Sequence, residues 1–331
     1  MTATEPRNTP TPASGAVSTP APEALDGDTG IRSYHGQAVL KEPIWSWEIP
    51  CYFFTGGMAG ASAGLAFCAG LRGNEVLARR AWTVSLAAVA ASPGLLISDL
   101  GKPARFLNML RMVKVTSPMS IGTWIISGAG GAITVATTSA WTGWFPRAAR
   151  FARPSAALLG LPLSTYTAAL IANTAVPVWH EARKELPFVF GSSAALSAGA
   201  MTVAFTPIPS AAPARRLALA AAVAEFGAIE LMRHRLGEHG EVFKHDPARR
   251  FRLIREACVV AGTALLASSG RSSRTAAVVS GALLSAGALS SRWAMFKAGF
   301  QSAADPKYVV GPQRAAVERG QRRGAARKRP R

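Results

Sequence analysis

The chain has 331 residues, a formal net charge of +19 and a mean hydropathy of +0.18; 49% of its residues are hydrophobic and only 17% are charged. The charges lie at the ends and between long uncharged runs: 16 residues from Gly56 to Leu71, 31 from Thr116 to Pro146, 26 from Pro154 to Trp179 and 29 from Leu186 to Ala214. Helices of a soluble domain need a polar face, so runs of this length exclude an ordinary soluble catalytic domain, and so much apolar sequence also excludes a wholly disordered chain.

In chain order, residues 2–30 are rich in Thr, Pro, Ala, Ser and Glu, with no apolar stretch of the kind a signal peptide carries. Residues 1–42 are expected to form a disordered N-terminal tail. Eight membrane spans follow, at roughly 51–71, 81–100, 119–143, 155–178, 187–208, 215–233, 253–270 and 275–291. The first five are long, with Asp99 at the end of the second their one charge. The sixth contains Glu225 and Glu230, and the seventh is weak, with 14 uncharged residues from Ala257 to Gly270. Together they predict an all-α integral membrane bundle of about eight transmembrane helices over residues 43–300, followed by a basic disordered tail over 301–331.

Eight spans place both termini on one side. That side carries 27 Lys and Arg against 10 on the other, or 16 against 10 without the C-terminal tail. The positive-inside rule then predicts a multi-pass protein of the cytoplasmic membrane with both termini in the cytoplasm. The segment from Arg314 to Arg331 holds eight Lys and Arg and one Glu. It reads as a solvated tail or as a binder of anionic lipid headgroups. No folded recognition module accompanies it, so nucleic acid is not expected as a partner.

Cysteine and histidine usage limits the redox chemistry. Cys51, Cys68 and Cys258 form no CxxC, and three cysteines cannot supply the four ligands of an iron–sulfur cluster. Cys51 and Cys68 are 17 residues apart in one expected helix, roughly 25 Å, and cannot bridge each other. None of the five histidines lies in the middle of an apolar run. No haem, iron–sulfur cluster or other metal is expected in this chain.

Two acids stand out. Asp99 closes the second span, in the stretch Asp99-Leu100-Gly101-Lys102-Pro103. Gly at the C-cap and Pro beyond it stop that helix, and Pro103 can open a short amphipathic helix over about 104–115 lying at the interface. Asp99 suits either a salt bridge to Lys102 or Arg105, or a proton-handling or ligand role. Glu225 lies about eight residues from either end of its span. A carboxylate at that depth costs on the order of 2.5–3.5 kcal/mol even on lenient insertion scales. It must face the interior, as a proton relay or as a hydrogen-bonding partner that fixes helix packing. Glu230 can pair with Arg233 or His234 along its helix.

Span parity brings Trp45, Trp47, Tyr52, Asp99, Trp124, His180 and His234 to one membrane boundary. Trp and Tyr there also suit an aromatic belt. Carboxylate, imidazole and aromatic ring together are what a quinone headgroup needs: donors for two carbonyls, a flat apolar wall and proton carriers. Glu48, Tyr166 and Asn173 are further candidates, the last two sharing a helix face at i and i+7.

Two stretches resemble the NrfD/PsrC family, the membrane subunits of polysulfide-reductase-type complexes. One is Trp45-Ser46-Trp47-Glu48-Ile49-Pro50-Cys51-Tyr52-Phe53-Phe54-Thr55-Gly56-Gly57. The other is Asp99-Leu100-Gly101-Lys102-Pro103-Ala104-Arg105-Phe106 with Ser117-Pro118-Met119-Ser120-Ile121-Gly122-Thr123-Trp124. The similarity looks collinear over about 34–300 and is sharpest over 43–124. It implies a quinone-reactive, haem-free subunit, not catalytic alone, that exchanges electrons between an iron–sulfur protein and exchangeable menaquinone or ubiquinone. A molybdopterin subunit would complete the complex. By position it points to Tyr52, Asp99 and Arg105 around the quinone, with Trp124 and His180 as further quinone contacts and Asp99 and Glu225 as proton carriers. With both termini inside, a cytoplasmic, formate-dehydrogenase-like assembly is the expected arrangement. A proton-coupled transporter or ion-conducting protein without redox chemistry is the alternative, suited by interrupted spans such as Ser92-Pro93-Gly94. A purely structural anchor is a third.

Overall fold

A computed structural model describes residues 40–318 apart from Gly101, Pro103 and Met112; the side chains of Ala104, Arg105, Leu107, Gln313 and residues 315–318 also lie outside the description. The expected N-terminal tail, the Gly101 and Pro103 breakers and the end of the basic tail therefore fall largely outside the described residues. Helices make up nearly all of what is described, and no strand occurs among the described residues.

The helices in chain order are α1 Glu48–Leu71, α2 Glu75–Asp99, α3 Ala104–Leu110, α4 Pro118–Thr142, α5 Pro146–Ala172, α6 Pro177–Glu181, α7 Leu186–Phe205, α8 Ala212–Leu236, α9 Ala248–Ala267, α10 Arg274–Ala304 and α11 Lys307–Glu318. Five are long and apolar enough to cross a membrane: α1, α2, α4, α5 and α7. These correspond to the first five expected spans. The other three long helices, α8, α9 and α10, overlap the remaining expected spans but carry charge within their length, Arg and Glu in α8 and α9 and Arg and Lys in α10, which lowers their hydropathy. The helix expected over 104–115 is shorter, seven residues from Ala104 to Leu110. Helix also continues beyond residue 301: α10 runs to Ala304 and α11 covers Lys307–Glu318, within the stretch whose charge predicts a solvated tail.

Local sequence explains the helix ends. Asn74 accepts from Leu77 N at 3.1 Å and starts α2, after Gly73 in a left-handed turn (φ +72°). The Ser117 and Ser273 hydroxyls cap α4 and α10 in the same way. Gly143, at φ +74°, ends α4. At the end of α7, where Thr206 N donates to Val203 O at 3.3 Å, Arg274 of α10 adds further donors: its guanidinium donates to Val203 O at 3.0 Å, to Thr206 O at 2.7 Å and to Ala204 O.

Helix α1 is the hub, packing on α2, α5 and α7, while α10 packs on α9 and α7. Small residues and cross-helix hydroxyl bonds hold these faces together, as suits helices in lipid, where burial of apolar surface alone gives little. Ser85 of α2 donates to Ala59 O of α1 at 2.7 Å, and Thr137 of α4 donates to Trp82 O of α2 at 3.2 Å. Ser164 of α5 donates to Gly160 O at 2.8 Å and contacts Gly57 O of α1 at 3.3 Å. Near the crossing of α1 and α5, Gly60 and Gly160 lie backbone to backbone: a Cβ on Gly60 would stand 2.3 Å from Gly160 O.

Helix α11 is tied down by Lys307 Nζ to Glu241 Oε2 at 2.9 Å, and Tyr308 packs beside His239. The hydrogen bond and charge of Lys307 hold the Glu241 carboxyl below its usual range, and the same bond raises the Lys307 ammonium above its own. The contribution is therefore present between the two titrations; it is lost as the pH falls through the lowered Glu241 value and as it rises through the raised Lys307 value. Both groups are partly exposed, so the pair is worth about 0.2–1 kcal/mol. Replacing Lys307 with Met is expected to speed amide exchange in α11 by up to roughly fivefold at neutral pH. At acid pH, where Glu241 is protonated, that difference should vanish.

Candidate functional site

One cavity opens where α1 and α4 begin and α2 and α5 end. About 620 Å³ of space lies between its walls, counted out into the solvent at its open mouth. The start of α1 contributes Ile49 and Tyr52, with Trp45 just before it, and the end of α2 contributes Leu96 and Asp99. Phe106 and Met109, at i and i+3 on α3, close one side. Met119, Thr123 and Ile126 of α4 and Tyr166 and Leu170 of α5 complete the wall.

The polar groups are few. Tyr52 is only 1% exposed, and its hydroxyl has no hydrogen-bond partner among the described residues. Its ring meets Tyr166 edge-on at 6.4 Å. A buried hydroxyl in apolar surroundings costs free energy unless something bonds to it, so this donor is suited to a ligand carbonyl. Tyr166 is seated by the absence of a side chain at Gly122, where a Cβ would lie 2.3 Å from Tyr166 Cε2. Asp99 is half-buried. Its Oδ1 accepts from the Ser46 hydroxyl at 2.9 Å and from Ser46 N at 3.3 Å. Among the described residues Asp99 makes no ion pair with Lys102; the Arg105 side chain lies outside the description. The Ser46 hydroxyl also bonds Glu48 Oε2.

The aromatic residues expected at this boundary divide. Trp45 lines the cavity and stacks on Trp179 at 5.7 Å. Trp179 is fully buried, donates to Met295 O at 2.8 Å and lies against Gly299. Trp124 follows the cavity residue Thr123 but stands on an outward side of α4, 43% exposed, and is not part of the wall. His180 and His234 are exposed and also lie outside it. Asn173 caps the end of α5, its side chain donating to Ala169 O at 3.0 Å. Span parity places these groups at the correct end of the bundle but does not fix their rotation about the helix axis. Phe106, Met109 and Met119 are cavity residues that the sequence does not single out; the i, i+3 spacing on the short helix is the signal for the first two.

Glu225 occupies a separate interior site. It is fully buried in α8, and among the described residues neither carboxylate oxygen makes a regular hydrogen bond. The charges acting on it are those of Arg255 and Arg292, with the Ser193 and Ser291 hydroxyls as neighbours. Arg292, 2% exposed, donates to Phe190 O at 2.7 Å and lies over the Phe190 ring at 3.9 Å, while its Nε and Nη1 have no partner among the described residues. Glu225 thus faces the interior beside two bases, as its depth requires. Glu230 pairs with Arg233 at 2.8 Å, the ordinary role of a helix-end acid.

No group of three or more His, Cys, Asp or Glu side chains placed to hold a metal occurs among the described residues. The fold and the cavity define a polytopic α-helical membrane protein with a cavity, walled by aromatic residues and carrying a carboxylate, at one end of its bundle. The family described as polysulphide reductase, NrfD, matches residues 35–232, more than half of the chain, and the chain belongs to that family. Membership marks it as a membrane subunit of a quinone-reactive oxidoreductase complex, of the kind that partners an iron–sulfur subunit and a catalytic subunit. No curated protein matches the chain.

Proposed function

We propose that this chain is the haem-free subunit at which electrons pass between an iron–sulfur partner and membrane quinone, menaquinone or ubiquinone, in the cavity between α1, α2, α4 and α5. The carrying observation is the meeting of Tyr52, Tyr166 and Asp99 in one largely apolar wall, to which the two segments that carry the family resemblance contribute Tyr52 and Asp99. The quinone ring lies against Trp45, Phe106 and the methionines. Tyr52 donates its hydroxyl proton to one carbonyl, and Asp99, held by Ser46, gives or takes a proton. Arg105 belongs to the same segment and is proposed to face the site; Trp124 and His180, outside the wall, suit the surface where the partner docks. The chain has no catalysis alone. A molybdopterin subunit handles the substrate, on the cytoplasmic side if both termini lie there, and the basic C-terminal tail meets anionic lipid.

The reading is tested by purifying the complex in mild detergent, identifying its proteins and extracted quinone by mass spectrometry, and titrating it with a short-chain quinone analogue. An iron–sulfur protein in near-equal amount, with quinone retained, is the expected result. A chain recovered alone that binds no quinone would overturn it. Replacing Tyr52 with Phe is expected to weaken binding of the analogue roughly two- to tenfold, the worth of one hydrogen bond of about 0.5–1.5 kcal/mol. Replacing Gly122 with Ala pushes the Tyr166 ring out of its seat and is expected to weaken binding by about tenfold while the complex still assembles.

Glu225 is proposed as a deeper proton relay. The observation behind it is the group of unmatched polar atoms on Glu225, Arg292 and Ser193, which calls for bound water in the interior. In proteoliposomes, Glu225→Gln is expected to abolish proton uptake linked to turnover and to leave binding of the quinone analogue intact. Equal proton uptake in the variant would assign Glu225 to packing alone.

A further inference from the structure

Ser46 stands between two carboxylates. Its hydroxyl is 2.9 Å from Asp99 Oδ1 and also bonds Glu48 Oε2, while its backbone N–H donates to the same Asp99 oxygen. Asp99 is in the cavity wall, Ser46 is exposed, and Glu48 is half-buried in the first turn of α1. The three groups therefore form one hydrogen-bonded run that joins the cavity wall to the exposed segment before α1. At its cavity end the Tyr52 hydroxyl, buried and without a partner among the described residues, lines the same cavity, which marks that end as a ligand site.

The hydrogen count of this run is informative. A hydroxyl carries one hydrogen and donates it to one acceptor, whereas an ionised carboxylate only accepts. One hydroxyl hydrogen therefore serves one of the two carboxylates at a time, and a proton that arrives on either carboxyl can be donated to Ser46 Oγ.

We infer that Ser46 and Glu48 carry protons between Asp99 and the aqueous face. This rests on the quinone reading above. In the releasing direction the O–H bond of Asp99 breaks and its proton bonds to Ser46 Oγ, while the original Ser46 proton leaves for Glu48 Oε2. Asp99 is left ionised and Glu48 protonated, with total charge unchanged and no electron moved. Glu48 then gives its proton to water, the hydroxyl rotates back towards Glu48, and a further proton delivered to Asp99 from the reduced quinone in the cavity restores the starting arrangement. Uptake follows the same steps in reverse. Ser46 and Glu48 act through Asp99 and are positioning and relay residues.

The test uses the purified complex, with a short-chain naphthoquinone in its oxidised and reduced forms as the probe. Ser46→Ala is expected to lower turnover roughly ten- to hundredfold, at the modest end of what positioned proton transfer supplies, with affinity for the probe unchanged. A small diffusible weak acid at high concentration should restore part of the rate, and Ser46→Thr, which keeps a hydroxyl, should retain most of it. If Ser46→Ala does not assemble, Glu48→Gln at the outer end gives the same readout. Wild-type turnover in these variants, a parallel loss of affinity, or a loss that weak acid does not restore overturns the inference. A wild-type complex that binds no naphthoquinone removes instead the reading beneath it, so the two failures are distinguishable.

Discussion

Replacing Asp99 with Asn is expected to lower quinone-dependent turnover of the assembled complex by roughly a hundredfold or more, the usual span of a positioned acid or base being about 10²–10⁴. The substitution is selective. Both Ser46 hydrogen bonds go to Oδ1, and an Asn oxygen at that place accepts them equally, so the start of α1 stays fixed to the end of α2. What Asn cannot do is take up and release a proton. The measurement is turnover per complex, with assembly followed by the ratio of co-purified subunits and quinone binding by titration of an analogue. Intact turnover in an assembled complex would assign Asp99 to structure and this chain to the role of an anchor. Lost turnover with lost binding would show that the carboxylate holds the ring and not only its proton.

Replacing Gly60 with Val is expected to be the most destabilising single change in the bundle. A Cβ there would stand 2.3 Å from Gly160 O and 2.7 Å from Ser164 Oγ, and a Cβ on Gly160 would stand 2.5 Å from Gly60 O. The obstacle is backbone on both sides, so no rotamer relieves it and the helices must separate. Overpacking of this kind costs about 1–3 kcal/mol, and more where backbone must move. The damage should reach the cavity. Tyr52 is eight residues before Gly60, roughly 12 Å along α1, and Tyr166 is six residues after Gly160, roughly 9 Å along α5. Gly64, one helical turn beyond Gly60, has open space where its Cβ would be. Gly64→Ala should therefore be neutral or slightly stabilising. Thermal unfolding of the two variants in detergent makes the comparison, and equal midpoints would refute the close crossing.

The contrast between Gly60 and Gly64 shows what the sequence leaves open. Both are glycines in one uncharged run, and nothing local distinguishes them; the difference is α5, which approaches one and not the other. The same holds for Trp124 and Tyr166. Each lies on an apolar span near the same boundary, yet one turns outward and the other is pressed against Gly122 in the cavity wall. Ser46 is legible only as a member of the Trp-Ser-Trp-Glu segment, because its link to Asp99 joins residues 53 apart.

The sequence by itself determined the membrane class, the order of the helices, the five apolar spans and the meeting of Tyr52 and Asp99 at one end. Uncharged runs, cap residues and chain parity are local or one-dimensional properties, and they fix where a helix starts, stops and turns back. Only the tertiary structure decided which side of each helix faces a neighbour. It left Trp124 and His180 outside the cavity, set Glu225 beside Arg255 and Arg292, and brought Ser46 between two carboxylates. The physical reason is that rotation about a helix axis is set by close packing against other helices. In a bundle whose faces are apolar all round, hydropathy carries almost no record of that rotation.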